Sequence, residues 1–175
     1  MDQWPDSVGS ALANCPAREY PAATSYVEGA MGKPKVMVVV RSDSSVESLV
    51  ALACQLAHGM DADLTALHVA VVPLVTPLDV PDETIDHAGK EVLAHAKRVA
   101  EKFSRPLSTE LLRAREVGEA IAGVAKEEGV DLLVMGHHRP HAHTLSETLL
   151  GGTVRYLSHH APCRVIVQIP APEHK

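Results

Sequence analysis

The chain has 175 residues, 46% of them hydrophobic and 22% charged, with a net charge of −6 when histidine is neutral. That length suits one ordinary domain with a real core, and no apolar run approaches the ~18 residues that a membrane-spanning helix needs. Only 3% of residues are aromatic, and Lys and Arg are scattered, which argues against a nucleic-acid groove of basic stripes and stacking rings.

Met1 to Ser10 is acidic and mixed rather than basic and then apolar, so a cytoplasmic location is expected. Cys15, Cys54 and Cys163 are odd in number, widely spaced and form no CxxC pair; they read as reduced, packed thiols. Residues 1–34 carry Pro5, Pro16, Pro21 and Pro34 and no sustained apolar period. They are expected to form a flexible or loosely docked N-terminal tail, followed by a domain over 35–170 and a short C-terminal tail over 171–175.

The regular pattern begins at Lys35. Val36 to Val40 is wholly apolar, as in a strand buried on both faces of a parallel sheet. The polar turn Arg41 to Ser45 follows, with Asp43 and the serines as helix N-caps. Val46, Leu49, Val50, Ala53, Leu56 and Ala57 then repeat at helical spacing, and Gly59 is expected to end that helix. Asp63 to Val72 contains the second strand, and Pro73 to Pro81, with three prolines, is a loop. Ile85, Ala88, Val92, Ala96, Val99 and Phe103 predict one buried stripe on a second helix. A weaker third strand runs from Thr109 to Ala114, and a third helix through Val117, Ile121, Val124 and Ala125 stops at Gly129. Asp131 to Met135 is a fourth strand closed by Gly136. After a His-rich loop, Thr153 to His159 is a helix and Arg164 to Ile169 a fifth strand, stopped by Pro170 and Pro172.

Strands alternating with helices predict an α/β fold, a mostly parallel sheet with helices on both faces. Ligands of such sheets bind beyond the carboxyl ends of the strands, where the winding reverses. The loops Arg41 to Ser45 and Gly136 to Thr153 are therefore where function should sit.

Of the 11 histidines, six fall between His137 and His160. His137, His138, His141 and His143 crowd one loop in a spacing that could hold Zn, Ni or Cu, or make a pH-sensitive lid. No Cys, Asp or Glu joins them closely, and Pro140 stiffens the middle, so a solvated loop explains them equally. His159 and His160 close the last helix, where the cationic form suits the dipole. Cys163 lies near His160, but Pro162 intervenes and the segment leads into a core strand. No GxSxG or P-loop occurs. No enzyme chemistry is expected from these residues.

Several segments together carry a resemblance: Ala53-Cys54-Gln55-Leu56-Ala57; Leu67-His68-Val69; Glu127-Glu128-Gly129-Val130-Asp131 running on to His138; Leu149-Leu150-Gly151-Gly152-Thr153; and His160-Ala161-Pro162-Cys163 before an apolar strand. From about Lys35 to Ile169 the chain resembles the universal stress protein family. The resemblance implies a Rossmann-like, adenine nucleotide alpha hydrolase-like fold with strand order 3-2-1-4-5. It also implies a dimer and, in one branch of the family, bound ATP.

That branch grips the ribose with an Asp at the end of the first strand and cradles phosphate with a glycine motif. Helix-terminal N–H groups and open glycines suit phosphate. By this likeness Gly136 is the first glycine and Gly151 the third, Val69 walls the adenine, and His138 matches a His often found before the second glycine. Arg139 replaces that second glycine. Gly152 stands where a hydroxyl residue is expected, with Thr153 one position late. The loop between Gly136 and Gly151 is two residues longer than the motif.

Arg41 occupies the ribose Asp position. A guanidinium has five donors and no acceptor, and losing a charged hydrogen bond costs about 1.5–3 kcal/mol. Asp43 is the nearest alternative acceptor. Arg41 itself could meet a phosphate or an acidic partner, or form an ion pair with Asp131 or Asp43. The expectation is thus a dimeric stress-response regulator or adaptor with weak or no ATP binding. The alternative is an ATP- or ADP-binding member using Gly136 and Gly151 to Thr153 as cradle. The bare, β-branched fifth strand, Arg164 to Ile169, is the expected homodimer edge, and the N-terminal tail a place for a protein partner.

Overall fold

The apolar first strand alternates its side chains between two cores. In β1 (Lys35–Val39), Val36 and Val38, followed by Val40, belong to one buried cluster, whereas Met37 and Val39 belong to another. A strand covered on both faces has no polar side to present, which is why its sequence does not alternate.

The computed structural model describes residues 32–42, 45–78, 80, 82–137 and 151–169. The expected tails lie outside these residues, apart from 32–34. All of the elements belong to one unit, Lys33–Lys175. After β1 come α1 (Val46–Gly59), β2 (Asp63–Val71), α2 (Glu83–Lys102), β3 (Ser108–Ala114) and α3 (Val117–Glu127). They are followed by β4 (Leu132–Gly136), α4 (Gly152–His160) and β5 (Arg164–Gln168). The sheet has five strands in the order β3-β2-β1-β4-β5, and every pairing is parallel. No helix among the described residues is long and apolar enough to cross a membrane.

On one face α1 and α2 pack Leu49, Val50, Ala53, Val92, Ala96 and Val99 against Val36, Val38, Leu64 and Val134. On the other, α3 and α4 pack Ile121, Val124, Val154 and Leu157 against Met37, Val39, Leu67, Leu133 and Met135. Full burial of each such Val, Leu, Ile or Met side chain contributes roughly 1.5–3 kcal/mol. The chain winds outward from β1 through β2 to β3, then returns to place β4 on the other side of β1. The winding therefore reverses between β1 and β4, and the crevice opens at their carboxyl ends.

α1, α2 and α3 end by one device, and α1 stops at Gly59 as expected. Gly59 is the last residue of α1, and the left-handed position falls on Asp61 (φ 47). There the Ala62 N–H donates to the Ala57 carbonyl at 2.9 Å and the Asp61 N–H to the His58 carbonyl at 3.2 Å. That is the paired bonding of a Schellman stop. After α2 the same position is Ser104 (φ 53), and after α3 it is Gly129 (φ 66), the glycine that was expected there.

The stripe on α2 also differs. Val92, Ala96 and Val99 are buried as expected, joined by Gly89, Leu93 and Ala100. Ala88 is exposed and Phe103, at the C-cap, is 41% exposed. The buried face is centred about one residue from the predicted one, because α2 contacts both α1 and β2.

Candidate functional site

Beyond β1 the chain is held to the next strand before it turns away. The Val40 N–H donates to the Leu67 carbonyl at 2.9 Å, and the His68 Nδ1–H donates to the Val40 carbonyl at 2.9 Å. Arg41 leaves the sheet directly after this anchored residue and is exposed. Beyond β4, the His137 N–H donates to the Gln168 carbonyl at 2.8 Å, which continues the ladder past Gly136. The His137 side chain is buried, 8% exposed.

A cleft of about 420 Å³ lies at the switch point. Val39, Val69, Val71, Ile121 and Met135 give it an apolar wall, and Arg41, Gly136, His137 and Gly151 to Val154 line the rest. None of the described lining residues is acidic. Val69 is 8% exposed and Val71 54% exposed, so the wall runs from buried to open along β2.

The floor opposite the valines is the start of α4. Gly151 is the N-cap, with φ −53 and ψ 157, and supplies no side chain to cap the helix. The first intrahelical bond runs from the Arg155 N–H to the Gly151 carbonyl at 3.0 Å. The N–H groups of Gly152, Thr153 and Val154 precede it and find no acceptor within the helix. A Cβ at either Gly151 or Gly152 would meet nothing within 4 Å. Donors without an acceptor among the described residues, the positive end of the helix dipole and open space make this a place for an anion. Gly136 is less open, since a Cβ there would lie 3.5 Å from Ser45 Oγ and 3.7 Å from Leu49 Cδ2.

The structure thus brings Arg41, Val69, Gly136, Gly151, Gly152 and Thr153 to one cleft. Asp43, His138, Arg139, His141 and His143 lie outside the described residues. Of the alternatives for Arg41, an ion pair with Asp131 does not form. Asp131 Oδ2 accepts the Lys35 N–H at 2.8 Å, at the amino end of β1, while Arg41 follows its carboxyl end. Among the described residues Arg41 makes no ion pair.

Sequence reasoning missed Val39, Ile121 and Met135 as site residues. The signal was available in the strand parity: Val39 and Met135 are the last β1 and β4 side chains on the α3/α4 face, where the cleft opens. Cys54 and Cys163 are free. Burial pushes both thiols above the ordinary value of 9.0, although Arg105 pulls Cys54 down. The charge of Asp131 raises Cys163 further, against a backbone hydrogen bond at Leu133 that lowers it. A raised thiol is a poor nucleophile near neutrality, which fits packed rather than reactive sulfur.

An open parallel sheet whose switch point carries an apolar wall and a helix amino terminus is a Rossmann-like α/β fold. The model of the universal stress protein family matches residues 34–168, more than half of the chain, and the protein belongs to that family. A universal stress protein of Methanothermobacter thermautotrophicus is 27% identical over 127 residues, which is 69% of this chain and 85% of the relative. Among solved structures, the universal stress protein of Archaeoglobus fulgidus in complex with dAMP superposes with a TM-score of 0.61 at 18% identity, covering 77% of this chain and 96% of that one. An Arabidopsis thaliana family protein with AMP bound gives 0.58 at 18% identity, covering 79% and 92%. At such identity the structural likeness is one of fold.

Proposed function

We propose that the protein is a dimeric, cytoplasmic regulatory or adaptor protein whose cleft takes an adenine nucleotide only weakly. Two structural relatives are described with dAMP or AMP bound, and the valine wall and the α4 terminus of this chain suit a base and an anion. The observation that carries the reading is Arg41. By the family likeness Arg41 stands at the position of the ribose carboxylate, and it lines a cleft in which no described residue supplies one. Among the described residues neither ribose hydroxyl then has an anionic acceptor. The missing charged hydrogen bond weakens binding by about tenfold to a hundredfold.

Adenosine isolates this term, because it carries no phosphate. Calorimetric titration is expected to show adenosine binding at least about tenfold tighter to Arg41→Asp than to the natural chain. Equal affinities, or co-purification of the natural chain with stoichiometric ATP or ADP, would overturn the weak-binding reading.

The dimer rests on β5. It closes one edge of the sheet, and Val165, Ile166 and Val167 remain only partly buried there. A second copy paired antiparallel would cover this edge. Light scattering coupled to size exclusion is expected to give twice the chain mass at micromolar concentration; a monomer would sink this part.

A further inference from the structure

A second concavity, of about 540 Å³, lies on the other side of Arg41. Its walls are the turn after β1, carrying Arg41 and Ser42, and one face of α2, carrying Glu91, His95 and Arg98. Those three α2 residues are spaced four and three apart and so share a face. Arg41 lines both this groove and the cleft.

Glu91, which lines the groove, and Glu47 of α1 each approach a histidine of α2. Glu91 Oε2 lies 3.9 Å from His87 Nδ1, and Glu47 Oε1 lies 3.5 Å from His95 Nε2. Two exposed cations, Arg41 and Arg98, therefore face one groove that Glu91 also lines, and no carboxylate among the described residues lies within ion-pair distance of either. A guanidinium fork matches phosphate oxygens bidentately. Two forks on opposite walls suit a phosphoanion with more than one charged group, whereas a single carboxylate satisfies one. A nucleic acid is a poor fit for a chain with net charge −6.

We infer that the groove between the β1–α1 turn and α2 is a phosphoanion site in which Arg41 and Arg98 bracket a diphosphate. Its source is either a free phosphoanion or the phosphates of a nucleotide whose base rests in the neighbouring cleft. The inference stands without the nucleotide reading, since a diphosphate alone occupies the groove.

Inorganic pyrophosphate, titrated into the full-length protein at low salt, tests it. Saturable one-to-one binding is expected, at least about tenfold weaker in Arg98→Gln and in Arg41→Gln, and weakening as salt rises. Adenosine affinity is expected to be unchanged in Arg98→Gln, and circular dichroism melts check that both variants fold. Absent saturable binding, or binding that Arg98→Gln leaves intact, would overturn the site; so would a matching loss of adenosine affinity, because the effect would not then be local to phosphate. A repeat titration with ADP present identifies the source. Competition that disappears in Arg98→Gln assigns the groove to nucleotide phosphates, and independent binding assigns it to a free phosphoanion.

Discussion

Tyr156 of α4 fills the place where Gly118 of α3 has no side chain. A Cβ at Gly118 would lie 2.9 Å from both the Cβ and the Cδ1 of Tyr156. The two helices approach this closely because one of them is bare at the crossing, and the approach sets where the amino end of α4 meets the cleft.

Gly118→Ala is therefore expected to destabilise the fold by about 1–3 kcal/mol, the usual cost of overpacking a tight contact. Gly123, one and a half turns further along α3, is exposed, and a Cβ there meets nothing within 4 Å. Gly123→Ala should stabilise by about 0.4–1 kcal/mol, since alanine loses less backbone entropy on folding. Denaturant unfolding of both variants checks the pair. The same sign for both would mean that the α3–α4 contact yields easily.

Ser104 holds a left-handed conformation (φ 53) only to complete the stop after α2, where the Arg105 N–H donates to the Ala100 carbonyl at 3.2 Å and the Ser104 N–H to the Glu101 carbonyl at 3.0 Å. The L-residue pays roughly 1 kcal/mol for that region. Ser104→Gly is expected to raise the unfolding free energy by about 1 kcal/mol, seen as a higher midpoint of chemical denaturation, and Ser104→Val to lower it. An unchanged midpoint for both would mean that the serine side chain compensates for its own strain.

The fold was legible because its strongest signals are local. β1 and β4 are short apolar runs that only a doubly covered strand explains, and their helices carry apolar residues at helical spacing. What the residues of the loops could not give was the exact face of α2, since Phe103 continues the period but falls at the C-cap. The αL stops at Asp61 and Ser104 were equally hidden, because neither is the glycine that advertises such a site. In the cleft, Gly151, Gly152 and Thr153 could be named from the family likeness, and the parity of Val39 and Met135 was present but unused. The groove beyond Arg41 was invisible: Arg98 is 57 positions from Arg41, and only the packing of α1 against α2 brings them to one groove.

Cys54 and Cys163 make the alkaline limb of the stability curve testable. Both thiols are held above the ordinary 9.0 in the folded state, chiefly by burial. As pH rises past that value the unfolded chain loses these protons first, so it binds fewer protons than the native state. The linkage slope is then negative, and stability falls with rising pH. Replacing both residues with alanine in a Cys15→Ser background should flatten that fall, measured by urea unfolding between pH 8 and 10 relative to Cys15→Ser alone. In the same background Cys54 and Cys163 should label slowly with a disulfide reagent at pH 8, as neutral thiols do. Rapid labelling under native conditions would show that burial does not protect them.

Gly152 separates the two uses of the α4 terminus. The position is the first residue of the helix, it faces open space, and no acidic residue stands in the first turn. A carboxylate placed there complements the helix dipole, and Gly152→Asp should stabilise the fold by about 0.3–1 kcal/mol. The same charge repels a phosphate from the N–H groups of Thr153 and Val154. If the terminus receives the 5′-phosphate of a nucleotide, Gly152→Asp removes the advantage of AMP over adenosine while leaving adenosine affinity in place. Calorimetry with the two ligands, run on the natural chain and on Gly152→Asp, reads that difference directly. An advantage for AMP that survives the substitution would move the phosphate away from α4 and towards the arginines of the neighbouring groove.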